Sequence, residues 1–256
     1  MTPGQLTGTV ALVTGASSGI GEATAAALAA EGAAVALVAR RGERLRSLAG
    51  RIRDSGGTAF VQAVDITDEA EARQSVRRTV DALGRLDILV NNAGYMILSR
   101  VESADTSHWR RMLDVNIAAL MNITHAALPH LLDAATHQPR KVADIVNVSS
   151  AASRRASAGS GAYNASKWAV NGFSEALRKE VNEQHVRVIL IEPGAVNTRF
   201  ASLNVDPEVV ANLRQRFGSL ELLNATDVAE LILFAATRPR RVAINEVLIR
   251  PTEQTE

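Results

Sequence analysis

The sequence predicts an α/β fold, a parallel sheet covered by helices on both faces. Three observations carry this. Short apolar runs alternate with helix-length segments along most of the chain. The runs are apolar throughout, as in strands buried on both faces, rather than alternating apolar with polar. The connections are short and marked by Gly, Asp or Asn. The chain has 256 residues, 46% of them hydrophobic and 21% charged, which is ordinary for a globular protein. No internal repeat, low-complexity block or linker divides it, so one domain over 1–256 is expected.

Val10 to Val13 is the first apolar run. A glycine turn, Thr14 to Gly21, leads into an Ala-rich helix that stops at Glu31-Gly32. Val35 to Val38 is a second buried strand and completes a βαβ unit. Arg41 to Asp54 reads as a helix stopped by Gly56-Gly57, and Thr58 to Val64 as a strand. Asp65 to Asp68 is a strand exit and helix cap, before a helix from Asp68 to Leu83 stopped by Gly84. Asp87 to Val90 is a fourth strand, running into Asn91-Asn92-Ala93-Gly94. Residues 105 to 133 form a long helical pattern with Asn116 inside it, where an amide is mildly unfavourable without a specific partner. A polar connection, Ala134 to Lys141, precedes the strand Ile145 to Val148. Tyr163 to Glu183 is helical, and Val186 to Ile191 is a strand broken by Pro193-Gly194. Asn197 to Glu221 is irregular to helical, Thr226 to Ala236 is a helix capped by Thr226, and Ile244 to Ile249 is the last strand.

Composition excludes several classes. With no cysteine there is no disulfide, thiolate nucleophile or cysteine-zinc site. The net charge of +1 gives no global field for nucleic acid or an anionic membrane. Arg40-Arg41, Arg110-Arg111 and Arg238 to Arg241 have acids interspersed and read as solvated faces. His125 and His130 are five apart, off a shared helical face, so no metal is expected. Met1 to Gly8 is polar, without a signal-peptide core, and the apolar stretch Ala23 to Ala39 is broken by Glu31 and Gly32. A cytoplasmic setting without membrane association is expected.

Two stretches carry chemistry. Glycines between a strand and a helix let backbone approach a pyrophosphate, and the helix N-terminus offers it free N–H groups and a positive dipole end. The spacing is G-x-x-x-G-x-G, which differs from the dinucleotide fingerprint G-x-G-x-x-G. A tight turn without a ligand is the bland alternative. Gly15 to Gly19 also matches G-x-S-x-G, which would make Ser17 a hydrolase nucleophile. That motif needs an oxyanion loop from an earlier strand, and only Met1 to Gly8 precede this one here. At the end of the second strand, Ala39 stands where an NAD site carries an acid, and Arg40 and Arg41 follow. A guanidinium there could clasp a 2′-phosphate, which predicts NADP(H) over NAD(H); Arg40 as a mere surface charge is the alternative. The second stretch holds Ser150, Tyr163 and Lys167. Tyr163 and Lys167 are four apart and share a helical face, and Ser150 follows a buried strand. A hydroxyl, a phenol and an ammonium aimed at one point suit proton transfer to a carbonyl oxygen. Lys167 is expected to lower the phenol pKa from its ordinary value near ~10.

These motifs together, in order and over nearly the whole chain, resemble the short-chain dehydrogenase/reductases. The family's T-G-x-x-x-G-x-G falls on Thr14, Gly15, Gly19 and Gly21, its N-N-A-G on Asn91 to Gly94, and its P-G-x-x-x-T on Pro193, Gly194 and Thr198. The resemblance implies a Rossmann-type doubly wound parallel sheet of about seven strands, order 3-2-1-4-5-6-7. It implies a catalytic tetrad of Asn116, Ser150, Tyr163 and Lys167. Tyr163 would be the general acid or base, Ser150 would bond the substrate oxygen, and Lys167 would tune Tyr163 and hold the nicotinamide ribose. Asn116 would anchor a relay water, or else only kink its helix. Cofactor contacts are implied for Gly15, Ser17, Ser18, Gly19, Ile20, Gly21, Arg40, Arg41, Asp65, Ile66, Asn92, Ala93, Gly94, Pro193, Gly194, Val196 and Thr198, with Tyr163 and Lys167. Within the family the sequence is closest to the branch of clavulanic acid (clavaldehyde) dehydrogenase and bacterial hydroxy-acid dehydrogenases, which brings in secondary metabolism. Homo-oligomers, dimers or tetramers, are implied through the helices near 105–133 and 163–183.

The function expected is NADP(H)-dependent interconversion of a carbonyl (aldehyde, ketone or oxo acid) and an alcohol. A non-catalytic NADPH sensor and the Ser17 hydrolase are the alternatives. Substrate walls are expected from Ala151 to Arg155, Tyr95, and a segment at about 195–222. Ser150, Ala152, Tyr163, Tyr95 and Phe200 are the contact candidates, and Arg154 and Arg155 could meet a carboxylate.

Overall fold

A computed structural model describes residues 4–198, 200 and 207–255. Among them lies one sheet of seven parallel strands, β1 (Val10–Thr14), β2 (Ala34–Ala39), β3 (Ala59–Ala63), β4 (Ile88–Asn91), β5 (Ala143–Val148), β6 (Val186–Pro193) and β7 (Glu246–Ile249). The spatial order is β3-β2-β1-β4-β5-β6-β7, the doubly wound order expected. Strand order reverses beside β1, which pairs with both β2 and β4, and ligands bind open α/β sheets outside the carboxyl ends of the strands at such a point.

The sheet side chains alternate between two apolar layers. Ala11 and Val13 of β1 point to one face and Val10 and Leu12 to the other. The first face is covered by α1 (Gly19–Ala30), α2 (Gly42–Asp54) and α8 (Ala225–Ala236), through residues such as Leu28, Leu48 and Ile232. The second is covered by α3 (Glu69–Leu83), α5 (Ala119–Thr136) and α6 (Gly161–Val181), through Val76, Ile123, Leu131 and Leu177. β1, β4, β5 and β6 are buried end to end, so continuous apolar runs were the right signal for them.

Element boundaries follow capping chemistry. Asp68 accepts the Glu71 N–H at 3.0 Å, and Gly84 closes α3 with φ 88°. The expected Thr226 cap is corrected to Asn224, which forms a capping box with Asp227. Between α4 (Thr106–Leu113) and α5, residues Asp114–Ala118 form a π-helical turn centred on Asn116. The continuous helix Thr106–Thr136 is long and apolar enough to cross a membrane by length and composition alone. Its apolar stripe, Ile123, Ala127 and Leu131, instead packs on the sheet. The helix runs past the expected end at 133, to Thr136. An eighth helix, α7 (Pro207–Phe217), lies in the predicted 195–222 segment; residues 199 and 201–206 of that segment lie outside the described ones.

At the amino end of the sheet the polar 134–141 stretch ties two connections together. Buried Asp144 accepts Arg187 Nε at 2.6 Å and Arg140 Nη2 at 2.7 Å. Both guanidiniums also donate to the Ala236 carbonyl at the end of α8, and Arg85 donates to Gln138 O at 2.6 Å.

Candidate active site

The carboxyl ends of the strands open into a cleft of about 1000 Å³. One end is the glycine turn. A Cβ on Gly15 would lie 2.8 Å from Asn92 Nδ2 and 2.9 Å from Ala93 Cα, and its φ of +67° also selects glycine. The close approach is locked by Thr14, whose Oγ1 accepts the N–H groups of Asn92 (3.0 Å) and Ala93 (3.1 Å). Ser18 extends its backbone ahead of α1 but makes no capping bond to it, and Gly19 and Ile20 line the cleft. The first turn of α1 thus faces the cleft without a side-chain cap on its N–H groups.

Arg41 lies over this turn. It donates from Nε (3.1 Å) and Nη2 (2.9 Å) to Ser17 Oγ, and from Nη2 to Ser18 Oγ (2.6 Å). A guanidinium cannot take a proton from Ser17, so the hydrolase reading fails on geometry: the hydroxyl faces a permanent cation where it would need a base. Arg40 also lines the cleft and reaches Asp65 at 3.8 Å, an exposed pair of small energetic consequence. Burial pushes the Asp65 carboxyl up, but hydrogen bonds from the Thr67 backbone and hydroxyl, with Arg40 and Arg111 nearby, bring it below its ordinary value. Ile66 lines the cleft beside it, as do Pro193, Gly194, Val196 and Thr198 from the far side.

At the other end stand Ser150, Tyr163 and Lys167. Ser150 leaves β5 and starts a short helical turn, Ala151–Ser153, with its Oγ accepting the Ala152 N–H at 3.1 Å. Tyr163 is on the first turn of α6, with Lys167 one turn further, and both are buried. The Lys167 ammonium donates to Val148 O at 2.9 Å and lies 5.9 Å from the centre of the Tyr163 ring. The expected lowering of the phenol pKa is corrected. Burial pushes Tyr163 up to about 12, against a smaller downward pull from its hydrogen bond with Ser150. Burial also brings Lys167 down to about 8. The ammonium is aimed at a strand carbonyl, and the apolar surroundings that hold both groups penalise both charges.

Asn116 serves as a clamp. Its Oδ1 accepts the Tyr95 N–H (2.8 Å), while Nδ2 donates to Tyr95 O (2.9 Å) and Ser166 Oγ (3.0 Å). Both amide hydrogens are used within the protein, and the helix takes its π-helical turn at this residue. The clamp fixes Tyr95 in the cleft wall, and its hydroxyl meets His108 Nδ1 at 2.9 Å. Phe200 lies 6.2 Å ring to ring from Tyr163, and Ala152 also lines the cleft.

Arg154 is a second correction. It turns away from the cleft and pairs with buried Glu192 (Nε 2.6 Å, Nη2 2.5 Å) and with Glu246 (2.9 Å), so it meets no substrate carboxylate. Arg155 does line the cleft. Glu192 itself escaped the sequence reading. Its only signal was an acid closing an apolar strand just before Pro193-Gly194. Among the described residues no cluster of three metal-ligating side chains occurs.

Residues 9–208 match the short chain dehydrogenase family. The chain belongs to the short-chain dehydrogenase/reductases. Over 251 residues it is 38% identical to glycine betaine reductase ATRR of Emericella nidulans, covering 98% of this chain but only 19% of that protein. A short chain dehydrogenase from Burkholderia cenocepacia in complex with NADP is 31% identical, with a TM-score of 0.83 over 96% of this chain and 97% of that one. An alcohol dehydrogenase from the archaeon Thermococcus sibiricus, complexed with 5-hydroxy-NADP, is 27% identical, with a TM-score of 0.84 over 97% of this chain and 98% of that one.

Proposed function

We propose that this chain is an NADP(H)-dependent oxidoreductase that interconverts a carbonyl and an alcohol, with Tyr163 moving the proton. The observation that carries the reading is the meeting of Ser150 and Tyr163 at one end of a cleft whose other end is a glycine turn under Arg41. The cofactor, when bound, supplies the hydride. Gly15, Gly19 and the first turn of α1 would hold its phosphates, and Arg41, with Arg40 beside it, would meet a 2′-phosphate. Ser150 Oγ holds and polarises the substrate oxygen. Tyr163 donates to that oxygen in reduction, and its high pKa keeps the proton in place at neutral pH. Lys167 keeps α6 against β5 through Val148 O. The NADP-bound neighbours support this cofactor, and the reductase and alcohol dehydrogenase names support this reaction class.

The hydroxy-acid branch would add an oxo-acid substrate. Arg154 lends it nothing, and Arg155 alone of the two arginines reaches the cleft. Self-association through the outer faces of α4, α5 and α6 is also proposed, because Leu113, Met121 and Trp168 are exposed there.

An NADPH-oxidation screen over aldehydes, ketones and oxo acids tests the function. Turnover with one of these classes is expected, with kcat/KM at least about tenfold higher for NADPH than for NADH. Equal use of NADH would overturn the cofactor assignment. NADPH binding without turnover across the panel would favour the sensor.

A further inference from the structure

Glu192 is fully buried at the end of β6, yet no step above uses it. Its Oε1 accepts two hydrogen bonds, from Ser153 Oγ (2.7 Å) and from Asn171 Nδ2 (2.7 Å). Asn171 Oδ1 in turn accepts Ser149 Oγ at 2.7 Å. Ser149 and Ser153 stand on either side of Ser150 in the chain. One carboxylate oxygen therefore holds the strand exit before the catalytic hydroxyl and the turn after it. The other oxygen is neutralised by Arg154, whose second contact is Glu246 on β7. Ser153 N donates to Ser150 O at 2.9 Å, and Ser153 Oγ lies 2.6 Å from the same carbonyl, so its single hydrogen is shared between Ser150 O and Glu192 and the turn closes back on Ser150 itself.

We propose that Glu192 is a positioning residue for Ser150, holding both flanks of that residue through Ser153 and through Asn171 and Ser149. The inference rests on the proposed function, in which Ser150 bonds the substrate oxygen. The physical reason is precision. A turn that starts at a strand end can shift by fractions of an ångström, and small misplacement of a hydrogen-bonding group costs rate far more than binding. A buried charge with every bond satisfied fixes such a turn more firmly than a neutral group would. It also explains why Arg154 leaves the cleft: the carboxylate needs a cation, and Arg154 is the nearest.

Ser153→Ala removes one bond at little cost in volume. It is expected to lower kcat about tenfold, with the NADPH dissociation constant changed less than about twofold. Ser153→Thr, which keeps the hydroxyl, should recover most of the rate. In a Ser150→Ala background, Ser153→Ala should cost nothing further, since the group it positions is gone. An equal loss in both backgrounds, or none in either, would overturn the proposal. A readout independent of turnover is amide hydrogen exchange at Ala151 to Arg154. Exchange about tenfold faster there in Ser153→Ala and Asn171→Ala, with β5 unchanged, is the expected result. Unchanged exchange would sink the positioning role, even in a chain that reduces no carbonyl. Absence of turnover by the wild type is a separate failure, that of the proposed function.

Discussion

At the residue scale, Tyr163 and Lys167 share an apolar setting that disfavours charge on either. Tyr163→Phe should lower kcat by roughly 10²- to 10⁴-fold while NADPH binding persists, as measured by steady-state kinetics beside equilibrium titration. Lys167 makes a stability prediction with a definite sign. Its folded pKa is depressed to about 8 from an ordinary 10.5. Between those values the unfolded chain binds more protons than the folded one, so stability rises with pH across that window. The rise is on the order of 3 kcal/mol in total, and Lys167→Met should abolish it in chemical denaturation compared at about pH 8 and about pH 10.5. Tyr163 works the other way: between its ordinary 10.0 and about 12 the folded state holds the extra proton, and stability falls. Arg154→Ala should leave the preference between acidic and neutral ketones unchanged. It should cost about 1–3 kcal/mol of stability, because buried Glu192 would lose its cation while keeping its bonds from Ser153 and Asn171.

At the scale of elements, the glycine turn, α1 and the Arg41 side chain act as one unit. Arg41→Ala should weaken NADPH about tenfold or more and leave NADH nearly unaffected, measured as the two KM values. Much of this unit was legible in the sequence, because a strand run, glycines at fixed offsets and Ala39 in place of an acid are local signals. The division of labour between Arg40 and Arg41 was not, since it depends on which guanidinium the β2–α2 corner turns over Ser17. The π-helical turn at Asn116 showed only as a misplaced amide. Its partner, the Tyr95 backbone, lies 21 residues away. Thr226 was the expected cap, but Asn224 has the three-residue offset to Asp227 that a capping box needs. Glu192 and its partners were invisible for the same reason as the Tyr163 pKa: burial and pairing across β5, β6 and α6 are not sequence-local.

At the scale of the whole molecule, the order of the seven strands puts the residues proposed for catalysis and cofactor binding at one end of the sheet and the Asp144 network at the other. Strand exits and α6 meet at the cleft, while Arg140 and Arg187 pin the α5–β5 connection to the end of α8. Asp144→Asn should cost about 3–5 kcal/mol in urea unfolding without changing KM, because it leaves two buried guanidiniums short of their counterion. Met121→Glu together with Trp168→Glu should lower the mass seen by light scattering if copies associate through α5 and α6. The most direct test of the catalytic assignment follows the hydride. NADPH carrying deuterium at both hydrogens of the nicotinamide C4, incubated with a reducible carbonyl, should give alcohol carrying deuterium on the former carbonyl carbon, at a rate that collapses in Tyr163→Phe. Alcohol without the label, or transfer that proceeds unchanged in Tyr163→Phe, would contradict it.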